Sequence, residues 1–140
     1  MTPASWIVDK SVLPRVDVAA VADAVLPRIR AGQVGVTLVT ELEAGYSARS
    51  DQDYAATRRD LLELLIPVTM PVRAEERARE LQRDLVSRGQ HRAVRVPDLV
   101  VAAIADIEEL TILHYDADFD LIAAVTSQPT EWVVPRGSID

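Results

Sequence analysis

Four carboxylates occupy positions at which acids distant along the chain could meet. Asp9 follows the short apolar run Trp6-Ile7-Val8, and Asp116 follows a second apolar run. Asp98 stands near the start of a long apolar stretch, and Glu41 lies early in another predicted helix. In a parallel sheet all four positions can fall at the carboxyl edge of the strands. Such a cluster is stable only with bound cations, and ligation by oxygen atoms alone indicates Mg²⁺ or Mn²⁺.

A divalent ion held by such a cluster is suited to phosphoryl chemistry, because it activates water and stabilises charge on the leaving oxygen. Spacing alone leaves two alternatives open. Four acids at strand ends can arise by chance in a chain with 22 acidic residues, and Asp98 could be only the cap of its helix. Glu43 is two residues from Glu41, so on a helix only one of the two can face a given point.

The apolar stretch after Asp98 predicts a core helix over residues 97–110. Pro97 suits the first helical turn, since it has no N–H to lose, and the apolar residues that follow cover every side of the helix. Its start therefore brings Asp98 to the rim of the core, where the helix dipole favours an ionised carboxylate.

Short β-branched runs alternate with amphipathic stretches along the rest of the chain. The predicted strands cover residues 6–8, 34–37, 66–70, 111–114 and 132–134, and the predicted helices cover residues 18–30, 38–48, 51–65, 71–87, 97–110 and 119–126. This order predicts an α/β fold with a mostly parallel sheet covered on both faces, and Pro67 suggests an edge strand. A length of 140 residues predicts that residues 1–140 form a single domain.

Charge limits the partners of the chain. The formal net charge of −7 argues against binding nucleic acid by bulk electrostatics. Lys10 is the only lysine among 15 basic residues. Arg88, His91, Arg92 and Arg95 have no obvious local partners, which makes them candidates for a phosphate-facing patch. The absence of cysteine excludes disulfides and thiolate chemistry. No signal peptide or membrane-spanning run is apparent, so we expect a cytoplasmic protein.

Four ordered motifs resemble those of PIN-domain ribonucleases and, more narrowly, the VapC toxins of bacterial VapBC toxin–antitoxin pairs. They are Ile7-Val8-Asp9-Lys10-Ser11, Thr40-Glu41-Leu42-Glu43-Ala44-Gly45, Pro97-Asp98-Leu99-Val100-Val101-Ala102-Ala103 and His114-Tyr115-Asp116-Ala117-Asp118-Phe119. The resemblance implies a three-layer α/β/α sandwich around a mostly parallel sheet. It also implies Mg²⁺- or Mn²⁺-dependent endonucleolytic cleavage of RNA, often tRNA or rRNA, and a cognate VapB-type antitoxin that blocks the site.

Carried over residue by residue, the resemblance implies a set of site residues. The catalytic and metal-binding acids of the family match Asp9, Glu41, Asp98 and Asp116. Asp118 would be a supporting ligand, and Ser11 could contribute its hydroxyl. Lys10 departs from the threonine that is frequent in the family, and it could offset charge or hold a phosphate.

The resemblance leaves partners and competing functions to be tested. Residues 18–26 and 38–46 are candidate contacts with the antitoxin or with a second copy in a homodimer, although we expect most of their apolar side chains to pack in the core. A non-catalytic PIN-like module that binds RNA or protein is the alternative to a nuclease. A phosphoacceptor receiver domain would need a lysine at a later strand end, which the chain lacks. We expect His114 to be structural and His91 to contact phosphate at most.

Overall fold

The central element is a parallel sheet, described here from a computed structural model that covers residues 4–140. Its strands are β1 (Trp6–Val8), β2 (Val34–Val36), β3 (Ile66–Pro67), β4 (Thr111–His114) and β5 (Thr130–Trp132). They lie in the order β3-β2-β1-β4-β5, and each neighbouring pair is parallel. The predicted α/β class and parallel sheet are confirmed.

Helices connect the strands and cover both faces of the sheet. They are α1 (Ala19–Arg30), α2 (Leu38–Tyr46), α3 (Asp51–Asp60), α4 (Arg73–Ser87), α5 (Val96–Ile107) and α6 (Asp118–Thr126), with 3₁₀ helices at Lys10–Arg15 and Leu62–Leu64. The helix predicted over residues 51–65 ends at Asp60, because Leu61 leaves the helical region with φ −136°. The 3₁₀ helix after β1 was not predicted.

Two predicted strands differ in extent from the observed ones. β3 pairs over only two residues at the edge of the sheet, as expected for a strand that contains a proline without an N–H. β5 begins two residues earlier than predicted. Val133 nevertheless donates its N–H to the His114 carbonyl at 2.8 Å, so the pairing with β4 continues beyond the strand.

Alternating side chains of the inner strands fill two apolar layers. Ile7 and Ile112 pack into the layer under α4, α5 and α6, whereas Val8 and Leu113 pack into the layer on the side of α1. The helix α5 is buried nearly all round, as predicted. Arg77 of α4 binds Asp106 of α5 with Nε and Oδ2 2.7 Å apart, which fixes the two helices together. Within the described residues no helix has the length and apolar character needed to cross a bilayer.

The connections reverse direction between β1 and β4. From β1 the chain proceeds to β2 and β3 on one side, and β4 leads to β5 on the other. Open α/β sheets bind ligands outside the carboxyl ends of the strands at such a point. Asp9 and Asp116 follow these two strands, so the topology brings the sequence-predicted acids to the expected edge.

A candidate metal centre

Asp9 lies directly after β1 and is held by the first turn of the 3₁₀ helix. Its side chain is 1% exposed, and Oδ2 accepts the Ser11 N–H at 2.9 Å. The Ser11 hydroxyl accepts the Tyr115 N–H at 2.8 Å, which ties this turn to the end of β4. Oδ1 of Asp9 has no hydrogen-bond partner within residues 4–140. Burial, with a smaller contribution from Asp116, raises the pKa of Asp9, while hydrogen bonds from Ser11 lower it.

Asp98 is the third residue of α5 and is 2% exposed. Arg95 occupies the cap position of this helix, and the Asp98 side chain makes no capping hydrogen bond. Its Oδ2 also lacks a hydrogen-bond partner in the described part of the chain. Burial, followed by repulsion from Asp9, raises the pKa of Asp98 to about 8. Burial and the like charge of Asp9 therefore oppose the helix dipole, which was expected to keep Asp98 ionised, and they favour the protonated carboxyl group.

Asp116 and Asp118 complete a group of three carboxylates with Asp98. One oxygen from each lies within 4.8 Å of the others. Asp116 is oriented by its own backbone, since Oδ1 accepts the Asp118 N–H at 2.9 Å. Asp9 is not one of these three, but it lies close enough to interact with two of them, because Asp116 raises the pKa of Asp9 and Asp9 raises that of Asp98.

Glu41 does not join this group. Its carboxylate is bound by Arg58 of α3, with Oε1 and Nη2 3.2 Å apart. The glutamate that faces the cluster is Glu43: burial, followed by repulsion from Asp9, raises the pKa of its carboxyl group, and Lys10 and Arg95 lower it. Its Oε1 is buried without a hydrogen-bond partner among the residues described. The resemblance implies Glu41 as the ligand, whereas in the structure Glu43 is the glutamate that interacts with Asp9.

The different surroundings of the two glutamates follow from which side of α2 packs against the rest of the protein. The predicted apolar side carries Leu38, Leu42 and Tyr46, yet these are 63%, 63% and 92% exposed. The small residues Thr40 and Ala44 face inward instead, beside Glu43. The helix is anchored by Thr37, whose hydroxyl accepts the Thr40 N–H at 3.3 Å. This helix therefore buries small side chains and exposes large apolar ones, the opposite of what hydrophobicity alone predicts.

Arg95 places a positive charge directly on the acids. Its Nη2 lies 2.8 Å from Asp116 Oδ2, and its Nε lies 3.7 Å from Asp98 Oδ2 and 4.0 Å from Asp118 Oδ2. The sequence analysis assigned this residue only to a phosphate-facing patch. The other members of that patch, Arg88, His91 and Arg92, are exposed.

His114 is structural, as predicted. It is fully buried, with ring centroids 5.0 Å from Phe119 and 4.9 Å from Trp132. Its Nδ1 accepts the Asp116 N–H at 3.1 Å. Burial lowers the pKa of His114 to about 4, so the ring is neutral and serves as a hydrogen-bond acceptor at neutral pH.

The donor set fits a hard divalent cation. Three acids, Asp9, Asp98 and Glu43, each have a buried carboxylate oxygen without a hydrogen-bond partner within residues 4–140. The pKa of each of these acids is raised. All the candidate ligands are oxygen atoms, as Mg²⁺ and Mn²⁺ prefer. A cation bound among them would satisfy these oxygens and relieve their repulsion.

Residues 5–125 match the family model of the PIN domain. The chain belongs to the PIN-domain family. Curated relatives of this PIN domain are VapC proteins. Ribonuclease VapC51 of Mycobacterium tuberculosis is 44% identical over 140 residues, with 96% of this chain and 97% of the relative covered. Ribonuclease VapC21 of the same species is 40% identical over 136 residues, with 95% and 96% covered.

Solved structures share the fold of this PIN domain. The crystal structure of VapBC2 from Rickettsia felis, bound to a DNA fragment from its promoter, matches with a TM-score of 0.76 at 12% identity. That match covers 94% of this chain and 99% of the other. VapBC-5 from Mycobacterium tuberculosis matches with a TM-score of 0.63 at 23% identity, covering 94% and 97%. The three-layer PIN-like architecture is confirmed by these neighbours.

Proposed function

We propose that this chain is a metal-dependent endoribonuclease of the toxin type, neutralised by a cognate VapB-type antitoxin. The observation that carries the proposal is a cluster of carboxylates at the reversal point of a PIN-domain sheet, in which buried oxygens of Asp9, Glu43 and Asp98 have no hydrogen-bond partner among the described residues. The ribonuclease names of relatives that match nearly the full length of the chain support it. We assign Mg²⁺ as the cofactor, with Mn²⁺ as a substitute.

The ligand set that we propose corrects the sequence-based one. Asp9, Glu43, Asp98 and Asp116 would hold the ion, with Asp118 as a supporting ligand. We place Glu43 rather than Glu41 in this role, because Glu43 interacts with Asp9 and its buried Oε1 has no hydrogen-bond partner among the described residues, whereas Glu41 pairs with Arg58. The bound ion would supply an activated water and stabilise the leaving oxygen of an RNA phosphodiester.

The protein groups keep the acids in position. Ser11 holds Asp9 and the end of β4, and the Asp118 N–H orients Asp116. Lys10 lies close enough to Glu43 to lower its pKa, so its charge partly offsets the acids. No covalent intermediate with the enzyme is required, because water would be the nucleophile.

An apolar groove beside the cluster is the site that we assign to the antitoxin. It has a volume of about 510 Å³ and lies between the first 3₁₀ helix, α1, α2 and α3. Its walls include Leu13, Leu26 and Leu61, and its rim carries Asp17 and Asp60. Lys10 also lines the groove, so an occupant would reach the acids of the metal centre. An apolar segment with basic residues would complement this surface.

The proposal is tested by incubating total RNA with purified, antitoxin-free protein. We expect discrete fragments with Mn²⁺, none with EDTA, and none with the Asp98→Asn variant in Mn²⁺. The fragment ends would then identify the RNA and the bond. If all three lanes are alike and calorimetry detects no Mn²⁺ binding, the carboxylates are structural and the chain is a non-catalytic binding module.

A further inference from the structure

Arg95 is a cation in direct contact with the cluster. It contacts three carboxylates from two different helices and the loop after β4. These contacts use the oxygens that a divalent ion would need, including the buried Oδ2 of Asp98, which has no hydrogen-bond partner in the described chain. A guanidinium and a divalent ion cannot both occupy the centre of this group, because each would repel the other at this separation.

The Arg95 side chain is free to leave the cluster. It is 64% exposed and precedes α5 rather than lying inside it. The same short segment carries the exposed Arg88 and Arg92. A guanidinium binds phosphate as readily as carboxylate, through two parallel hydrogen bonds. Once a divalent ion has neutralised the acids, an RNA phosphate at the mouth of the site is the anion left for Arg95 to bind.

We propose that Arg95 is an exchanging positioning residue, which pairs with the carboxylates in the metal-free protein and transfers to a substrate phosphate when the ion binds. This inference rests on the proposed function. Substitution of Arg95 should therefore change the affinity for the metal and the affinity for RNA in opposite directions. Removing the guanidinium strengthens metal binding, since the ion no longer displaces a competitor, and weakens RNA binding, since a phosphate contact is lost.

The test compares wild type with Arg95→Ala and with Arg92→Ala, a matched exposed arginine three residues earlier. In calorimetric titrations with Mn²⁺ we expect Arg95→Ala to bind about tenfold more tightly than wild type, as for loss of one charge-assisted competitor. Arg92→Ala should match wild type. Anisotropy of a labelled random single-stranded RNA in Ca²⁺, with the RNA checked intact on a gel, should show weaker binding by Arg95→Ala and partial rescue by Arg95→Lys.

A second measurement needs no variant. In the ¹H–¹⁵N spectrum of wild type, addition of Mg²⁺ should move the Nε–Hε signal of Arg95 as its ion pairs break, while that of Arg92 stays in place. Equal Mn²⁺ affinity for wild type and Arg95→Ala, unchanged RNA affinity in Arg95→Ala, or an Arg95 signal that ignores Mg²⁺ would overturn the inference and leave the proposed function standing. If wild type itself binds no Mn²⁺, the proposed function fails first and the exchange fails with it.

Discussion

At the scale of single residues, the structure and the sequence-based prediction differ in which glutamate of α2 faces the acids. Glu43 faces the acids, whereas Glu41 is paired with Arg58. We expect Glu43→Gln to reduce RNA cleavage in Mn²⁺ by at least a hundredfold, because a candidate ligand loses its charge. Glu41→Gln is the matched control on the same helix and should cleave at nearly the wild-type rate. The opposite ranking in a cleavage time course would restore Glu41 to the site.

Asp98 makes the stability of the metal-free protein depend on pH. Its pKa of about 8 in the folded chain lies above the ordinary value of 3.8. The proton on Asp98 therefore adds to the free energy of unfolding, because the folded chain holds it more tightly than the unfolded chain does. This contribution is fully present below about pH 4 and is lost as the pH rises through about 8. Asp98→Asn should abolish this loss, and so should be more stable than wild type at pH 8.5 by on the order of a few kcal/mol.

Denaturant unfolding in EDTA at pH 5 and pH 8.5 measures this difference. Asp84→Asn, at an exposed carboxylate on α4, is the control and should follow wild type at both pH values. A gap between Asp98→Asn and wild type that does not widen from pH 5 to pH 8.5 would show that Asp98 is not the group responsible.

The residues that the sequence identified are those tied to the backbone pattern. Asp9, Asp98 and Asp116 follow strands or open a helix, and a parallel sheet sends such positions to one edge. Glu43 was missed because its orientation depends on which side of α2 is buried. The prediction that Arg95 has no local partner is wrong, because its Nε lies 3.7 Å from Oδ2 of Asp98, three residues further along the chain. Its contact with Asp116 spans 21 residues, and no local pattern shows it.

At the scale of elements, the outer side of α2 is the clearest surface without an intramolecular role. Leu38, Leu42 and Tyr46 form an exposed apolar stripe one turn apart, and Met70 nearby is 48% exposed. Apolar residues gathered on one helix face indicate a contact surface rather than isolated exposed side chains. We assign this stripe to the homodimer expected from the sequence.

A substitution at the middle of the stripe tests this assignment. Leu42→Glu places a charge in the predicted contact, so sedimentation velocity should show a dimer for wild type and a monomer for the variant. Val86→Glu, at a 51% exposed apolar residue on α4, should stay dimeric. A wild-type monomer, or a Leu42→Glu dimer, would place the homodimer contact elsewhere or remove it.

The elements themselves were well predicted where hydrophobicity is unambiguous. The core helix α5 and the strands β1 and β4 match the sequence pattern closely, since burial on all sides needs continuous apolar residues. The end of α3 was placed five residues too late, because Leu61, Leu62 and Leu65 continue an apolar pattern while the backbone has already left the helix. The three leucines belong to the same apolar layer as the buried side of α1, and no local pattern shows this tertiary packing.

At the scale of the whole molecule, the lining of the groove includes Lys10, which follows Asp9 in the chain, but none of the candidate metal ligands among the described residues, so inhibition can be separated from catalysis. Ala56 lines the groove. It is distant from the acids along the chain and takes part in none of the contacts described above that hold them. Ala56→Trp should fill the groove and weaken binding of the cognate antitoxin at least tenfold while RNA cleavage persists. Ala124→Trp, at an exposed alanine of α6, is the control.

Co-expression with the antitoxin, followed by affinity measurement on the purified proteins, reads out this prediction. Ala56→Trp should escape neutralisation, and Ala124→Trp should not. Full neutralisation of Ala56→Trp at wild-type affinity would show that the antitoxin binds another face. High salt should weaken wild-type binding, because the acidic rim favours a basic partner.

The position of the bound metal is the decisive test of the proposed metal centre. We would measure anomalous scattering from crystals of the antitoxin-free protein grown with Mn²⁺. The account predicts a peak in contact with Asp98 and Asp116, with Asp9 and Glu43 beside it and Glu41 still bound to Arg58. A peak at Glu41, or no peak in this cluster at saturating Mn²⁺, would contradict the proposed metal centre and the cleavage mechanism built on it.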